Sequence, residues 1–432
     1  MIDRLKKEWI IHLLFLLFTL FYLWGMDLVP FHPDESTQIY MSQDLIDLIN
    51  DPLSLSYSPE TELTPKMAYR AIDMPLTRYL VGFARFTTNI PGLSSDWDWA
   101  LTWQQNLIIG AIPSSVLLTT ARFIPTFLLS VSIYLFYFSI RKILPKTPAH
   151  IATLFLGLNP LILLHGRRAM SEPALLFGVI LFMWSVTRDH IKPVLVGIAL
   201  AIAFNAKQTG IFLIPVGIIA VCTLPNEDHR LKNLLARSAA LLSVFLIITL
   251  LLNPYYWKSP LSALLIGFQG RSQLLDLQLV DHLAGTNPNI ITSFISLIAN
   301  LFILPPAVSE VGKYLEPMVH EIQVYQNIWP HVWGRSLISG SLQFAIFLSG
   351  FYVMYKRYAK QIKSIRQSIN MMLLTTVFLI TGILIALPIP WQRYAVPVLP
   401  LAAFWFGYGL LPLTEALQST LSVKKTPSDT SV

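Results

Sequence analysis

MIDRLKKEWIIHLLFLLFTLFYLWGMDLVPFHPDESTQIY (residues 1–40) sets the frame for the whole chain. Arg4, Lys6 and Lys7 precede an apolar run that ends near Val29, and two carboxylates, Asp34 and Glu35, follow at once. The run is close to the roughly 20 residues that cross a bilayer as helix. It is too long for a signal-peptide core and no small-residue cleavage site follows, so it reads as an uncleaved first span with its basic flank inside. Adjacent carboxylates at a membrane edge are either the first turn of an interfacial helix or a site for chemistry.

Of 432 residues, 54% are hydrophobic and 13% charged, against roughly 25% charged in soluble domains. The apolar residues form continuous rather than alternating runs, which excludes a closed barrel and points to an all-α polytopic membrane protein. Cys222 is the single cysteine, so no intrachain disulfide forms and outer loops must be held by packing. A net charge of +7 would suggest nucleic acid in a soluble protein. Here basic loops orient membrane helices, and no nucleic-acid partner is expected.

About ten spans are expected, near 9–29, 122–140, 150–164, 173–186, 194–206, 210–222, 234–252, 337–354, 371–387 and 395–413. Both termini then lie inside and each inner connection carries Lys or Arg. The spans form one domain over 1–415, followed by a polar cytoplasmic tail over 416–432. Two outer loops, 30–105 and 253–336, interrupt them. In the first, 35–50 and a piece after Pro75 have helical period and read as short interfacial helices. Trp97, Trp99 and Trp103 suit the same depth. Residues 107–118 are too short to span. Residues 290–304 are read as non-spanning, because a crossing there would put YKRYAKQIKSIRQ (355–367) outside.

The informative charges are those on the wrong side. Arg122, Arg167, Arg168, Lys207 and Arg393 all fall at outer ends of spans. Singly, each could snorkel or pair with an acid; charge at membrane depth is costly and usually has a partner or a function. Five at one level suit a phosphate or pyrophosphate at a lipid headgroup, with Arg as a planar fork and Lys as a compact charge. Asp34 and Glu35 could be favoured by a helix dipole or serve catalysis. Glu172, in Ser171-Glu172-Pro173, would also begin a helix well. His32, Asp34, Glu35, His165 and Glu172 could converge on a divalent metal, but no ligand spacing such as HExxH supports one, and no cofactor is assigned. Tyr255, Tyr256, Trp257, His331, Trp333 and Tyr394 read mostly as interface anchors, and a few could stack on a sugar ring or contact a prenyl chain.

Six stretches, in order and each at the outer end of an expected span or in the first outer loop, carry a resemblance. They are HPDES (32–36), MPLTRYLVGFARF (74–86), TTARFIPTFLLSVSIYLFYFSIRK (119–142), HGRRAMSEPALLFGVILF (165–182), AFNAKQTGIFLIP (203–215) and WQRYAVPVLPLAAFWFGYGL (391–410). Together they resemble the class C membrane glycosyltransferases, and among these the protein O-mannosyltransferase and lipid A aminoarabinose transferase group. The resemblance implies a sugar donor on polyprenyl phosphate and inverting transfer on the extracytoplasmic face of the cell (plasma or inner) membrane. It implies an acid of the first loop as base: Asp34 by position, with Glu35 assisting or positioning the acceptor. Arg167, Arg168, Lys207, Arg393 and Arg122 would then hold the donor phosphate, and His32, Glu172 and Tyr394 would contact substrate. The chain is expected to lack the sizeable C-terminal outer domain of larger members, which leaves the acceptor (protein, lipid or glycan) unspecified. Membrane lipids are the other expected partners. The alternative is a transporter or flippase of polyprenyl-linked or other anionic lipids, which would use the same cations without reaction. Against it, the helix centres are nearly free of charge.

Overall fold

A computed structural model describes residues 8–60, 63–223, 231–283, 289–309, 316–387, 389 and 391–423. Arg4, Lys6, Lys7 and the tail residues 424–432 lie outside them. Among the described residues every regular element is helical and there is no strand.

The chain opens with α1 (Trp9–Gly25) and then a loop carrying α2 (Pro33–Met41), α3 (Asp44–Asn50), α4 (Pro65–Ile72), α5 (Leu76–Thr88) and α6 (Trp103–Ile108). The membrane part continues with α7 (Ser115–Ile140), α8 (Lys146–Gly157), α9 (Pro160–His165), α10 (Ser171–Val186), α11 (Pro193–Ala206), α12 (Ile214–Cys222) and α13 (Leu231–Leu252). A second loop region carries α14 (Pro260–Leu283), α15 (Ile290–Phe302) and α16 (Val319–Asn327). The chain closes with α17 (Leu337–Arg357), α18 (Lys363–Ala386), α19 (Leu399–Gly409) and α20 (Leu411–Val423).

Four helices, Ser115–Ile140, Leu231–Leu252, Leu337–Lys360 and Lys363–Ala386, are long and apolar enough to cross a bilayer. The pair Gln392–Gly409 and Leu411–Leu417, bent by 42°, makes a fifth if counted as one span. α1, α10, α11, α15 and the segment Gln208–Cys222 are apolar but shorter. This is a helical membrane protein whose span count by length alone is four or five among the described residues, short of the ten expected.

Several boundaries differ from the sequence reading. The helix expected from residue 122 starts seven residues earlier, because the Ser114 hydroxyl accepts from Leu117 N and caps it. Pro125 sits inside that helix without ending it. Residues 107–118 are therefore not one interfacial piece: α6 ends at Ile108, and the chain turns through Gly110 at φ +76°. The span expected over 150–164 is two helices, broken where Asn159 caps α9 through Leu161 N. α14 was not anticipated, since Gly267, Gly270 and scattered polar residues blur its period. α20 carries helix to Val423, into residues expected to be irregular tail.

Apolar burial drives helix association poorly in lipid, so close backbone approach carries much of the packing. Gly178 on α10 lies against Ala203 on α11, where an added Cβ would come within 2.5 Å of the Ala203 Cα. Tyr22 donates to the Gly157 carbonyl at 2.7 Å, tying α1 to α8, and Trp405 Nε1 donates to Thr376 Oγ1 at 2.9 Å, tying α19 to α18. The first loop is fastened by buried ions. Asp44 accepts from Arg70 Nε at 3.1 Å and Nη2 at 2.7 Å, and Arg78 Nε lies 3.1 Å from the same carboxylate. Breaking one of these would leave an uncompensated buried charge, so α3, α4 and α5 are held to one another.

Candidate functional site

Phe31 to Glu35 passes from the end of α1 into α2. His32 is the N-cap: its Nδ1 accepts from Asp34 N at 3.1 Å, while the Glu35 carboxylate accepts from His32 N at 3.0 Å. This reciprocal cap satisfies two end groups of the helix. It also sends the two acids in different directions.

Glu35 is fully buried and saturated. Its Oε1 accepts from Arg122 Nε at 2.7 Å and from Ala169 N at 2.9 Å; its Oε2 accepts from Arg122 Nη2 at 2.6 Å and from His32 N. Arg122 gives its other donors to the carbonyls of Met26 (2.8 Å), Val29 (2.7 Å) and Pro30 (3.4 Å). A guanidinium has five N–H groups, and these contacts use all five. Arg122 therefore has none left for a phosphate, and Glu35 has no lone pair facing a substrate.

Arg167 and Arg168 are also fully buried. Arg167 Nη1 donates to the Gly25 carbonyl at 3.0 Å and contacts His331 Nε2 at 3.3 Å, and its guanidinium lies over the Phe21 ring at 4.9 Å. Arg168 Nη2 donates to the carbonyls of Pro30 (3.1 Å) and Val308 (2.7 Å). These two residues gather α1, the start of the first loop and the second loop around one turn.

Lys207 and Arg393 are arranged differently. Lys207 has extended backbone at the end of α11, before the 3-10 turn Gln208–Leu213. Its Nζ donates to Glu172 Oε1 at 2.8 Å and lies 5.0 Å from the centre of the Tyr394 ring. Arg393, in the 3-10 segment Gln392–Val398, pairs through Nη1 with Asp34 Oδ2 and lies over the Trp391 ring at 4.5 Å. The Asp34 side chain is 34% exposed, and Lys207 and Arg393 are partly exposed. Two cations, two carboxylates and Tyr394 thus meet at one partly open point.

His32 and His165 back this point, both buried. Burial first, then the Arg168 and Arg393 cations, hold His32 well below the ordinary imidazole range, so it is neutral at physiological pH. On the loop side stand residues that the sequence did not single out. Asp96 accepts from Thr37 Oγ1 at 3.3 Å and from Trp97 N at 2.7 Å, and it hydrogen-bonds Tyr69. Burial raises the Asp96 and Asp73 carboxyls, and the nearby Asp34 charge pushes both the same way. No motif marks Tyr69, Asp73 or Asp96; a fold is needed to bring them beside Asp34. Among the described residues no group of three or more His, Cys, Asp or Glu forms a metal-binding cluster. His32, Asp34, Glu35, His165 and Glu172 are thus not brought together as a ligand set.

The fold is thus an all-helical membrane fold with carboxylates and cations collected at one end of the bundle, and comparison with known proteins finds resemblances to it. Residues 103–257 match the family model described as dolichyl-phosphate-mannose-protein mannosyltransferase. That stretch holds Arg122, Arg167, Arg168, Glu172 and Lys207; Asp34 and Arg393 lie outside it. The archaeal oligosaccharyltransferase AglB from Archaeoglobus fulgidus, in complex with an inhibitory peptide and a dolichol-phosphate, has a similar fold. Its TM-score is 0.50 at 13% identity, over 99% of this chain and 53% of that one. The Archaeoglobus fulgidus oligosaccharyltransferase complex with Zn and sulfate gives 0.50 at 14% identity, over 95% and 50%. At these identities the likeness is one of fold, and the chain spans about half the length of either structure. No curated protein sequence matches the chain. The resemblance to class C membrane glycosyltransferases carried by the six stretches therefore stands.

Proposed function

We propose that this protein is a membrane glycosyltransferase that moves a sugar from a polyprenyl-phosphate donor to an acceptor on the extracytoplasmic face of the cell membrane, with inversion. The observation that carries this reading is the meeting of Asp34, Arg393, Lys207, Glu172 and Tyr394 at one partly open point. Asp34 is the one acid of the pair with an accessible carboxylate, and it serves as general base to the acceptor. Lys207 and Arg393 take the donor phosphate and stabilise the charge that grows on it as the sugar leaves. Arg168 adds positive potential from behind. Glu35, Arg122 and Arg167 are positioning residues, which hold the loop entry and the HGRR turn in register. His32 orients Asp34 through its N-cap bond, and Glu172 and Tyr394 orient Lys207. Tyr69, Asp73 and Asp96 form the acceptor side.

The proposal includes one domain over 1–415 and ten crossings with both termini inside. The long helices, the bent pair, and the short or broken helices α1, α8–α9, α10, α11 and α12 support this count. Lys142, Arg188, Lys360 and Lys363 lie at helix ends remote from the site, which favours an outward-facing site by the positive-inside rule.

The test is release of polyprenyl phosphate by purified protein from a panel of polyprenyl-phosphate sugars, with membrane extract as acceptor source. Sugar transfer supports the reading. Donor binding without turnover for any acceptor fraction would replace it with transport of the lipid.

A further inference from the structure

His165 ends α9 and is 1% exposed, yet neither Nδ1 nor Nε2 has a hydrogen-bond partner. A buried polar atom left unpaired loses its hydration with nothing in return, and native interiors largely avoid it. The unpartnered hydroxyls of Thr126 and Ser130 are single atoms along α7, and Arg167, in the same turn as His165, keeps Nε and Nη2 unpartnered but has its Nη1 bonded to the Gly25 carbonyl. His165 has two on one ring, and that ring stands among the charges of the site: Arg168, Glu172, Arg393, Lys207 and His32 all act on it electrostatically.

The chemistry of the missing partner follows from the ring. Burial first, then the surrounding cations, push the imidazole well down, so it is neutral at physiological pH. A neutral imidazole offers one N–H donor and one acceptor nitrogen. Ionised phosphate offers only acceptor oxygens and would leave that nitrogen unmet. A hydroxyl both donates and accepts, and adjacent sugar hydroxyls can serve both ring nitrogens. We propose that His165 is a specificity-determining residue that hydrogen-bonds a hydroxyl of the transferred sugar, while Lys207 and Arg393 hold the phosphate. This rests on the glycosyltransferase reading above.

The experiment compares wild type, His165→Phe and His165→Asn on the polyprenyl-phosphate sugar that wild type transfers and on each of its mono-deoxy derivatives. Wild type is expected to prefer the parent over one deoxy derivative by about 10–100-fold in kcat/KM. His165→Phe loses about the same factor on the parent and nothing further on that derivative. His165→Asn, which keeps a donor and an acceptor, retains part of the preference. Equal losses on the parent and every derivative would overturn the proposal. So would a wild-type enzyme indifferent to every hydroxyl, or a variant that melts like wild type but transfers none of the donors. If His165→Phe fails to fold, the preference of His165→Asn decides. Wild type that transfers no sugar at all would instead defeat the underlying reading.

Discussion

Asp34 and Arg393 stand 359 positions apart and form an ion pair at one end of the bundle, joining the segment after α1 to the segment before α19. The cation proposed for the donor phosphate is thus paired with the carboxylate proposed as base to the acceptor. On the proposed roles, a phosphate that took Arg393 would free Asp34, making donor binding and base release one event. The expected kinetics are ordered, with donor before acceptor. Arg393→Ala should raise the donor KM about 10–100-fold and lower kcat as well, since it stabilises the leaving group too. Steady-state rates over both substrates check this; an unchanged donor KM would remove Arg393 from the phosphate site.

Lys207 is held in the same manner by Glu172, which is buried and has one oxygen, Oε2, without a hydrogen-bond partner. Lys207→Met should weaken donor binding about 10–100-fold and also destabilise the fold, because Glu172 keeps a buried charge with its partner gone. Adding Glu172→Gln should recover the stability and not the donor affinity. Thermal unfolding and donor titration of the single and double variants separate the two effects, and recovery of affinity in the double variant would argue against a phosphate role for Lys207.

The Glu35–Arg122 pair is a matter of stability. Arg122→Ala leaves a fully buried carboxylate without its counter-ion and the carbonyls of Met26 and Val29 without that donor, a cost of about 3–5 kcal/mol. The melting temperature in detergent should fall by several degrees. Glu35→Gln should cost less, since the amide oxygen can still accept from His32 N. A Glu35→Gln protein of wild-type stability without turnover would place Glu35 in the chemistry.

His331 gives a pH dependence. Its Nδ1 donates to the Tyr325 carbonyl at 2.8 Å, its Nε2 accepts from Arg167, and its ring stacks on Tyr325 at 3.9 Å. Burial first, and Arg167 with it, hold the imidazole down to about 4 against the Tyr325 contact, while an unfolded histidine titrates near 6.5. Below about 6.5 the unfolded chain binds a proton that the folded chain refuses. The stability from this site is therefore complete above that pH and is lost as pH falls towards 4. Melting temperatures between pH 7 and 4.5 should fall for wild type and fall less for His331→Gln; parallel curves would contradict the assignment.

Much of this was legible in the sequence, and for physical reasons. Continuous apolar runs can only be helices in lipid, and cations at outer helix ends need partners. That the five cations would divide was not legible. Arg122, Arg167 and Arg168 bond backbone carbonyls that adjoin them only in the fold, Arg122 pairing with the buried Glu35 as well, while Lys207 and Arg393 meet carboxylates at a partly open point. Periodicity and helix position did not tell Asp34 and Glu35 apart, because both fit a helix first turn, and only the family resemblance favoured Asp34; the His32 cap turns Glu35 inward and leaves Asp34 facing Arg393. α14 escaped because its apolar positions follow no single face, and the early start of α7 because Ser114 caps it ahead of Arg122.

The most direct measurement is sugar transfer and donor binding by Asp34→Asn beside wild type. The expected result is donor binding at least as tight as that of wild type, since Arg393 no longer has a carboxylate to leave, with transfer reduced about 10²–10⁴-fold, the usual contribution of a general base. Full transfer by Asp34→Asn would contradict the central claim and turn the search for the base to Asp96 and Asp73.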